Sequence, residues 1–240
     1  MLRLALVGGA GAALLLAGCG GAPPVERAPA PHPAEETTSA PPVEAVPTAS
    51  APAPSVAPTP PPKPVAVTPS PPRDALLSIP AIGVQDLRVI AYRGKTDDAA
   101  GTRIQNRGRA ASPYGPRGGT GPGGIGNYQV TAHRLSSTRA FLDLPDLARG
   151  DRVHVTAGGT RWTYAIVSTR TTSFRSAGSL AEQRAAVPGH PGRTPDRAFI
   201  TLSTCATPED HAAGNYWADR FDNPEHRIDK IGVLVRTEPA

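Results

Sequence analysis

The sequence is poor in cysteine and lacks the motifs of several common kinds of binding site. Only two of its 240 residues are cysteines, Cys19 and Cys205. The six histidines show no paired spacing of the kind that binds a metal ion, so no metal site is expected. The glycine-rich stretch 118–126 has no Gly-Lys-Ser/Thr and no predicted helix after it, which argues against a phosphate-binding loop. The 25 Lys and Arg residues are scattered among acids rather than clustered with aromatics, so nucleic acid is not an expected partner.

Proline is distributed unevenly along the chain. Most of the 29 prolines lie in residues 22–72, mixed with Ala, Thr, Ser and Val. Such a segment cannot bury enough apolar surface to offset the entropy lost on ordering, so a disordered Pro/Ala-rich tether is predicted at residues 19–73. Residues 74–240 contain no internal repeat and form one domain, long enough to bury a core.

The N-terminus has the organisation of an export signal. Arg3 is followed by an apolar run from Leu4 to Leu16, shorter than the roughly 20 residues that span a bilayer comfortably. The run ends in LAGC, which resembles the lipobox of bacterial lipoproteins. The resemblance implies a signal peptide at residues 1–18 and a lipid on the thiol of Cys19. An ordinary signal peptide or an uncleaved anchor is the alternative. The expected location is the extracytoplasmic face of the membrane, facing the cell wall.

The pattern of residues 74–240 predicts an all-β domain, a barrel or a sandwich, with a few short helices. The strands are predicted within residues 75–92, 127–134, 151–174, 198–205 and 227–236. An Ala-Gly-Gly turn divides 151–174 into a hairpin, and short helices are predicted within 140–150 and 179–187. Residues 101–126 are rich in Gly, Pro and Ser and predict one long loop.

Cys205 is a candidate nucleophile because it has no plausible disulfide partner. The whole tether separates it from Cys19, and an unpaired thiol in an exported domain is a candidate reactive group. A buried structural cysteine is the alternative. A catalytic thiol needs a base and a group that stabilises an oxyanion. His133 ends the segment YQVTAH as Cys205 ends FITLSTC, and Arg227 begins the last strand. Neighbouring strand ends would bring these side chains together, although His133 and Arg227 could also be ordinary surface residues.

Four segments together resemble the sortases, which are cysteine transpeptidases of bacterial surfaces. They are GNYQVTAHR, FLDLPDLARGDRVHV, TLSTC and HRIDKIGVLV. The resemblance is greatest to the class E sortases of high-GC actinobacteria. It implies an eight-stranded β-barrel with short helices, Cys205 as nucleophile and His133 as acid and base. It also implies that Arg227 supports the substrate and the oxyanion, that Thr204 helps to position the substrate, and that no cofactor is needed. The segment from Ala206 to His226 is longer than in many relatives, which makes Arg220 the rival of Arg227.

The resemblance implies cleavage of a C-terminal sorting signal. The expected motif is LPxTG-like or LAxTG-like, cut between Thr and Gly through a thioacyl enzyme. The expected partners are secreted proteins with such signals and an amine of a peptidoglycan cross-bridge or a pilin lysine. Two alternatives are an L,D-transpeptidase, whose Ser-His-Gly-Cys-Arg motif is absent here, and a non-catalytic wall-binding lipoprotein on the same barrel.

Overall fold

The computed structural model describes residues 70–240. The signal peptide, Cys19 and nearly all of the predicted tether lie outside the described residues, so those interpretations stay predictions.

Eight strands close into a single barrel in the order β1-β2-β3-β4-β7-β8-β6-β5. Their bounds are Ala75–Ile79 (β1), Val84–Arg93 (β2), Ala110–Tyr114 (β3), Gly126–Thr131 (β4), Arg152–Ala157 (β5), Thr160–Ser173 (β6), Ala198–Cys205 (β7) and His226–Pro239 (β8). The eight-stranded β-barrel predicted from the sequence is confirmed.

The helices are short and lie between the strands. They are the α-helices Ala99–Gln105 (α1), Ala177–Arg184 (α2) and Thr207–Ala212 (α3), and the 3-10 turns Pro80–Ile82 and Leu144–Asp146. Within residues 70–240, none of these helices has the length and apolar character needed to cross a membrane.

The hairpin of β5 and β6 shows how the sequence pattern produces the barrel wall. Val153 and Val155 are fully buried and alternate with more exposed neighbours, as expected when successive side chains point to opposite faces. The turn residues Gly158 and Gly159 have φ of 56° and 72°, the conformation that a tight hairpin turn requires of both central residues. The predicted hairpin is therefore confirmed.

Strands β4 and β7 are parallel neighbours, and every residue of β4 is buried. Their register runs from Gly126 opposite Ala198 to Thr131 opposite Ser203. Because parallel strands end at the same edge of a sheet, the residues that follow β4 lie beside the end of β7 at one rim of the barrel.

The prediction of one long loop at residues 101–126 is wrong, because this segment contains most of α1 and all of β3. Helix α1 begins at a good N-cap, since the side chain of Asp98 accepts a hydrogen bond from the Gly101 amide. Strand β3 has the sequence AASPY, whose Ala, Ser and Pro have weak strand propensity. It is a strand because it pairs with β2 from Val89 opposite Ala110 onward. Tertiary pairing here outweighs local preference.

Candidate active site

Four of the residues singled out in the sequence lie together at one rim of the barrel. Cys205 is the last residue of β7, and it lies opposite Arg227 in the antiparallel register of β7 with β8. On its other side the β4 chain continues alongside β7, with the Ala132 amide donating to the Ser203 carbonyl at 3.3 Å. His133 follows directly. Cys205, His133, Arg227 and Thr204 all line the same small cavity.

The thiol of Cys205 is free and partly buried. Burial raises its pKa, and the nearby charges of Arg227 and Arg134 oppose this shift only in part. The resting thiol is therefore protonated at neutral pH, and it needs a base before it can act as a nucleophile.

The imidazole of His133 is suited to be that base. Burial lowers its pKa, and the positive charge of Arg227 lowers it further, so the ring is neutral at pH 7. Its Nε2 lies 2.7 Å from Oδ1 of Asn106. A neutral ring that donates Nε2–H to this oxygen keeps Nδ1 unprotonated and able to accept a proton.

Arg227 is a buried cation, with its side chain only 2% exposed. Its Nε donates to Asp97 Oδ1 at 3.0 Å, and its Nη1 donates to the Pro224 carbonyl at 3.0 Å. The guanidinium also lies over the ring of Phe174, 5.1 Å from the ring centre. Among residues 70–240, Nη2 finds no hydrogen-bond acceptor, although it is buried. One donor group of Arg227 is thus uncommitted among the described residues.

The geometry distinguishes Arg227 from its rival. Arg220 is exposed and stacks on the neighbouring Phe221 ring, 4.6 Å from its centre. Arg227 lies directly opposite Cys205 in the sheet. The register therefore favours Arg227 as the cation of the site.

Thr204 is buried, and its hydroxyl donates to the Ala132 carbonyl at 2.9 Å. This bond ties the end of β7 to the chain that leads into His133. Because this bond uses the only hydrogen of the Thr204 hydroxyl, the hydroxyl oxygen can bind a substrate only as an acceptor. The substrate-positioning role of Thr204 stays a prediction.

Three further residues contact the site and were missed by reasoning from the sequence. Asn106 bonds to His133, and Asp97 bonds to Arg227. Arg134 donates to the backbone carbonyl of Cys205 at 3.4 Å and pairs with a carboxylate of α3. Asn106 and Asp97 lie in connections without periodicity, where a single sequence carries no signal for them. Only Arg134, which directly follows His133, had a position that could have suggested a role.

These groups can together perform nucleophilic acyl chemistry. The site offers a thiol, a neutral imidazole able to take its proton, and a guanidinium donor for a developing oxyanion. Within the part of the chain that the structure describes, no three His, Cys, Asp or Glu side chains are grouped so as to hold a metal ion.

Comparisons with known proteins agree with this chemistry. A family model described as the sortase domain matches residues 77–220. None of the curated proteins compared with the chain matches it. Among solved structures, the fold is similar to the SrtA sortase from Actinomyces oris, with a TM-score of 0.52, 16% identity, and coverage of 69% of this chain and 81% of that one. It is also similar to sortase E from Streptomyces avermitilis, with a TM-score of 0.50, 24% identity, and coverage of 72% of this chain and 91% of that one.

A further similar structure is a sortase E from Streptomyces coelicolor with a tripeptide in its active site, at a TM-score of 0.50 and 21% identity. It covers 72% of this chain and 94% of that one. At these identities the solved structures establish a shared fold only. The match to the family model is what shows the family, because it spans more than half of the sequence. The chain therefore belongs to the sortase family of cysteine transpeptidases.

Proposed function

We propose that the chain is a class E-like sortase that cleaves an LPxTG-like or LAxTG-like sorting signal between Thr and Gly. The observation that carries the proposal is the placement of Cys205 between His133 and Arg227 at one rim of the barrel. The likeness in fold to two sortase E structures supports the class.

In the first step the Cys205 Sγ attacks the carbonyl carbon of the substrate threonine. His133 takes the thiol proton at Nδ1 as the carbon–sulfur bond forms, and a tetrahedral oxyanion results. His133 then gives that proton to the glycine nitrogen as the carbon–nitrogen bond breaks. A thioester on Cys205 remains, and the C-terminal fragment leaves as a free amine. The lowered pKa of His133 supports this role, because the ring is neutral and ready to accept a proton.

Arg227 stabilises the oxyanion through the Nη2 group that has no acceptor among residues 70–240. A preorganised donor in a site that excludes water contributes a factor of about 10² to 10³ in rate. The charge of Arg227 also opposes the effect of burial on the thiol, since it lowers the pKa of Cys205.

In the second step an amine attacks the thioester and His133 accepts its proton. A new amide bond forms, and the thiol is regenerated when it takes up that proton. The proposed acceptor is an amine of a peptidoglycan cross-bridge or a pilin lysine, and the acyl donors are secreted proteins with C-terminal sorting signals. We place the enzyme at the extracytoplasmic face of the membrane, held by a lipid on Cys19 or by an uncleaved N-terminal anchor.

The test is incubation of the full chain with LPxTG-type and LAxTG-type peptides and a glycine-based amine, with product mass as the readout. The parent should form a thioacyl adduct and a transpeptidation product, and Cys205→Ala and His133→Ala should form no product. Arg227→Ala should lower kcat/KM about 10² to 10³-fold, whereas Arg220→Ala should stay within about twofold of the parent.

Two results would contradict the proposal. A parent enzyme that forms no acyl adduct with any peptide would favour the non-catalytic wall-binding alternative. An active Arg227→Ala variant beside an inactive Arg220→Ala variant would reverse the assignment of the cation.

A further inference from the structure

Asp97 is a nearly buried acid at the site, and the chemistry described above leaves it without a role. It lies in the connection between β2 and α1, and its side chain is 9% exposed. Its Oδ1 accepts from Arg227 Nε at 3.0 Å. It also lines the cavity that contains Cys205. Its φ is +61°, a left-handed conformation that Asp and Asn tolerate better than most residues.

Arg227 needs an anion beside it to remain in this position. Burial disfavours its charged form, but the negative charge of Asp97 leads the effects that oppose burial, its hydrogen bond adds to them, and the pKa of Arg227 is raised. The carbonyls of Pro224 and His226 accept hydrogen bonds but carry no net charge. Among the described residues, Asp97 is the one carboxylate in an ion pair with Arg227. Loss of one partner of a buried pair leaves an uncompensated charge, which is strongly unfavourable.

The loop that carries Asp97 is fixed from a second side. Thr96 is buried, and its hydroxyl donates to Gln183 Oε1 at 3.0 Å. Arg184 donates to the Thr96 hydroxyl at 2.9 Å and to its carbonyl at 3.2 Å. Both partners belong to α2, so the neighbour of Asp97 is tied to the connection between β6 and β7. A carboxylate on a loop held in this way can fix the guanidinium to which it bonds.

The ion pair between Asp97 and Arg227 is incomplete. A bidentate pair would use both carboxylate oxygens and two guanidinium nitrogens. Here Asp97 Oδ2 and Arg227 Nη2 are both buried and have no partner within residues 70–240. Asp97 therefore holds the guanidinium by one nitrogen, while a second donor, Nη2, has no acceptor among the described residues.

We propose that Asp97 is a positioning residue, which holds Arg227 by its Nε so that Nη2 remains available to the substrate carbonyl. The inference rests on the proposed function for the identity of that carbonyl. A competing interpretation is a latch, in which Asp97 keeps Arg227 away from the substrate. The two interpretations predict opposite effects of removing Asp97 on the reaction rate, because loss of a latch would accelerate the reaction.

The first test compares kcat/KM for Asp97→Ala, Arg227→Ala and the double variant of the full chain. Misplacement of a catalytic donor costs up to about 10²-fold, and we expect a loss of this order for Asp97→Ala. If Asp97 acts through Arg227, the double variant will be within about threefold of Arg227→Ala alone. A multiplicative loss in the double variant, an Asp97→Ala variant within twofold of the parent, or a faster variant would each overturn the proposal.

Asp97→Asn covers the case in which the alanine variant fails to fold. Asparagine tolerates the left-handed backbone and keeps an oxygen for Arg227 Nε, but it removes the charge. We expect a loss of about tenfold in kcat/KM, since charge-assisted hydrogen bonds are roughly twice as strong as neutral ones. Asp98→Asn is the matched control: it removes the same charge one residue away, and its one oxygen can still cap α1 at the Gly101 amide, while the Lys95 amide loses its bond to Oδ2. The kcat/KM of Asp98→Asn should stay within about twofold of the parent value. Equal losses of kcat/KM in Asp97→Asn and Asp98→Asn would overturn the proposal.

The second test needs no sorting peptide, so it can be read even if the proposed function fails. The rate of Cys205 alkylation by iodoacetamide is followed against pH in the full chain, by mass analysis of the tryptic peptide 198–220. Because the Asp97 carboxylate raises the pKa of the thiol, Asp97→Asn should shift the midpoint to lower pH, and Asp98→Asn should shift it less. An unmoved midpoint in a folded Asp97→Asn protein would show that Asp97 is not coupled to the reacting group.

Discussion

Replacing Asn106 by aspartate should raise the pKa of His133 and move the acid limb of the pH–activity profile upward. The Asn106 Oδ1 lies 2.7 Å from His133 Nε2, so the nearly isosteric aspartate puts a full negative charge at hydrogen-bond distance. A carboxylate this close favours the protonated imidazole, typically by 1 to 3 pH units. His133 is only half-buried and solvent screens the charge, so we expect a rise of about one pH unit. This opposes the effects of burial and of Arg227, which lower the pKa in the parent.

Two measurements check this prediction. NMR titration of the His133 ring proton gives the pKa directly, and kcat/KM against pH gives the limb on which the base becomes protonated. Asn106→Ala is the control, because it removes the hydrogen bond without adding a charge. Its acid limb should stay near that of the parent, while kcat/KM falls about tenfold through the loss of one hydrogen bond and of the fixed tautomer. An Asn106→Asp enzyme that is folded and has the same His133 midpoint as the parent would refute the tautomer and proton transfer described above.

Two substitutions test what holds the barrel together. Lys230 is buried, and its ammonium donates at 2.7 and 2.6 Å to two carbonyls of the connection between β4 and β5. Lys230→Met leaves both without that donor and should lower the free energy of unfolding by about 3 kcal/mol, or Tm by about 10 °C in thermal denaturation; an unchanged Tm would contradict this. A Cβ on Gly123, at φ +75°, would lie 2.0 Å from Trp162 Nε1, whereas Gly159, at φ +72°, has open space. In the same measurement, Gly159→Ala should lower the free energy of unfolding by roughly 1–2 kcal/mol, and Gly123→Ala should lower it by clearly more. Equal losses would contradict the close contact between Gly123 and Trp162.

The reacting groups could be predicted from the sequence because they lie at the ends of strands or, for His133, two residues beyond one. Apolar and β-branched runs that stop at Cys205 and at His133 indicate where two strands end, and the last strand begins beside Arg227. A closed sheet has few ways to arrange such ends. The parallel pairing of β4 with β7 and the antiparallel pairing of β7 with β8 make these three residues neighbours. The local pattern and the long-range pairing therefore agree at this rim, which is why the pattern was informative.

The supporting groups could not be predicted, because nothing in their local sequence distinguishes them from solvent-exposed residues. Asp97 lies in GKTDD, which has the composition of an ordinary polar turn, and Asn106 caps a helix in a segment predicted to be a loop. Their roles depend on contacts with residues far along the chain. Asp97 meets Arg227 across 130 positions and Asn106 meets His133 across 27. Such contacts exist only once the barrel has closed.

There is a physical reason why the reacting groups could be predicted from the sequence and the supporting groups could not. The strand ends carry the groups that react, and the barrel hydrogen bonds already place their backbones. The side chains still need fixed orientations and charge states, and the backbones of neighbouring strands offer hydrogen-bond acceptors but no net charge. Connections that fold over the rim can do so: the β2–α1 loop brings a carboxylate to Arg227, and the end of α1 brings an amide oxygen to His133. Changes in these connections should therefore alter the pKa and the rate at the site while leaving the barrel intact, which is the combined result expected for substitutions of Asp97 and Asn106.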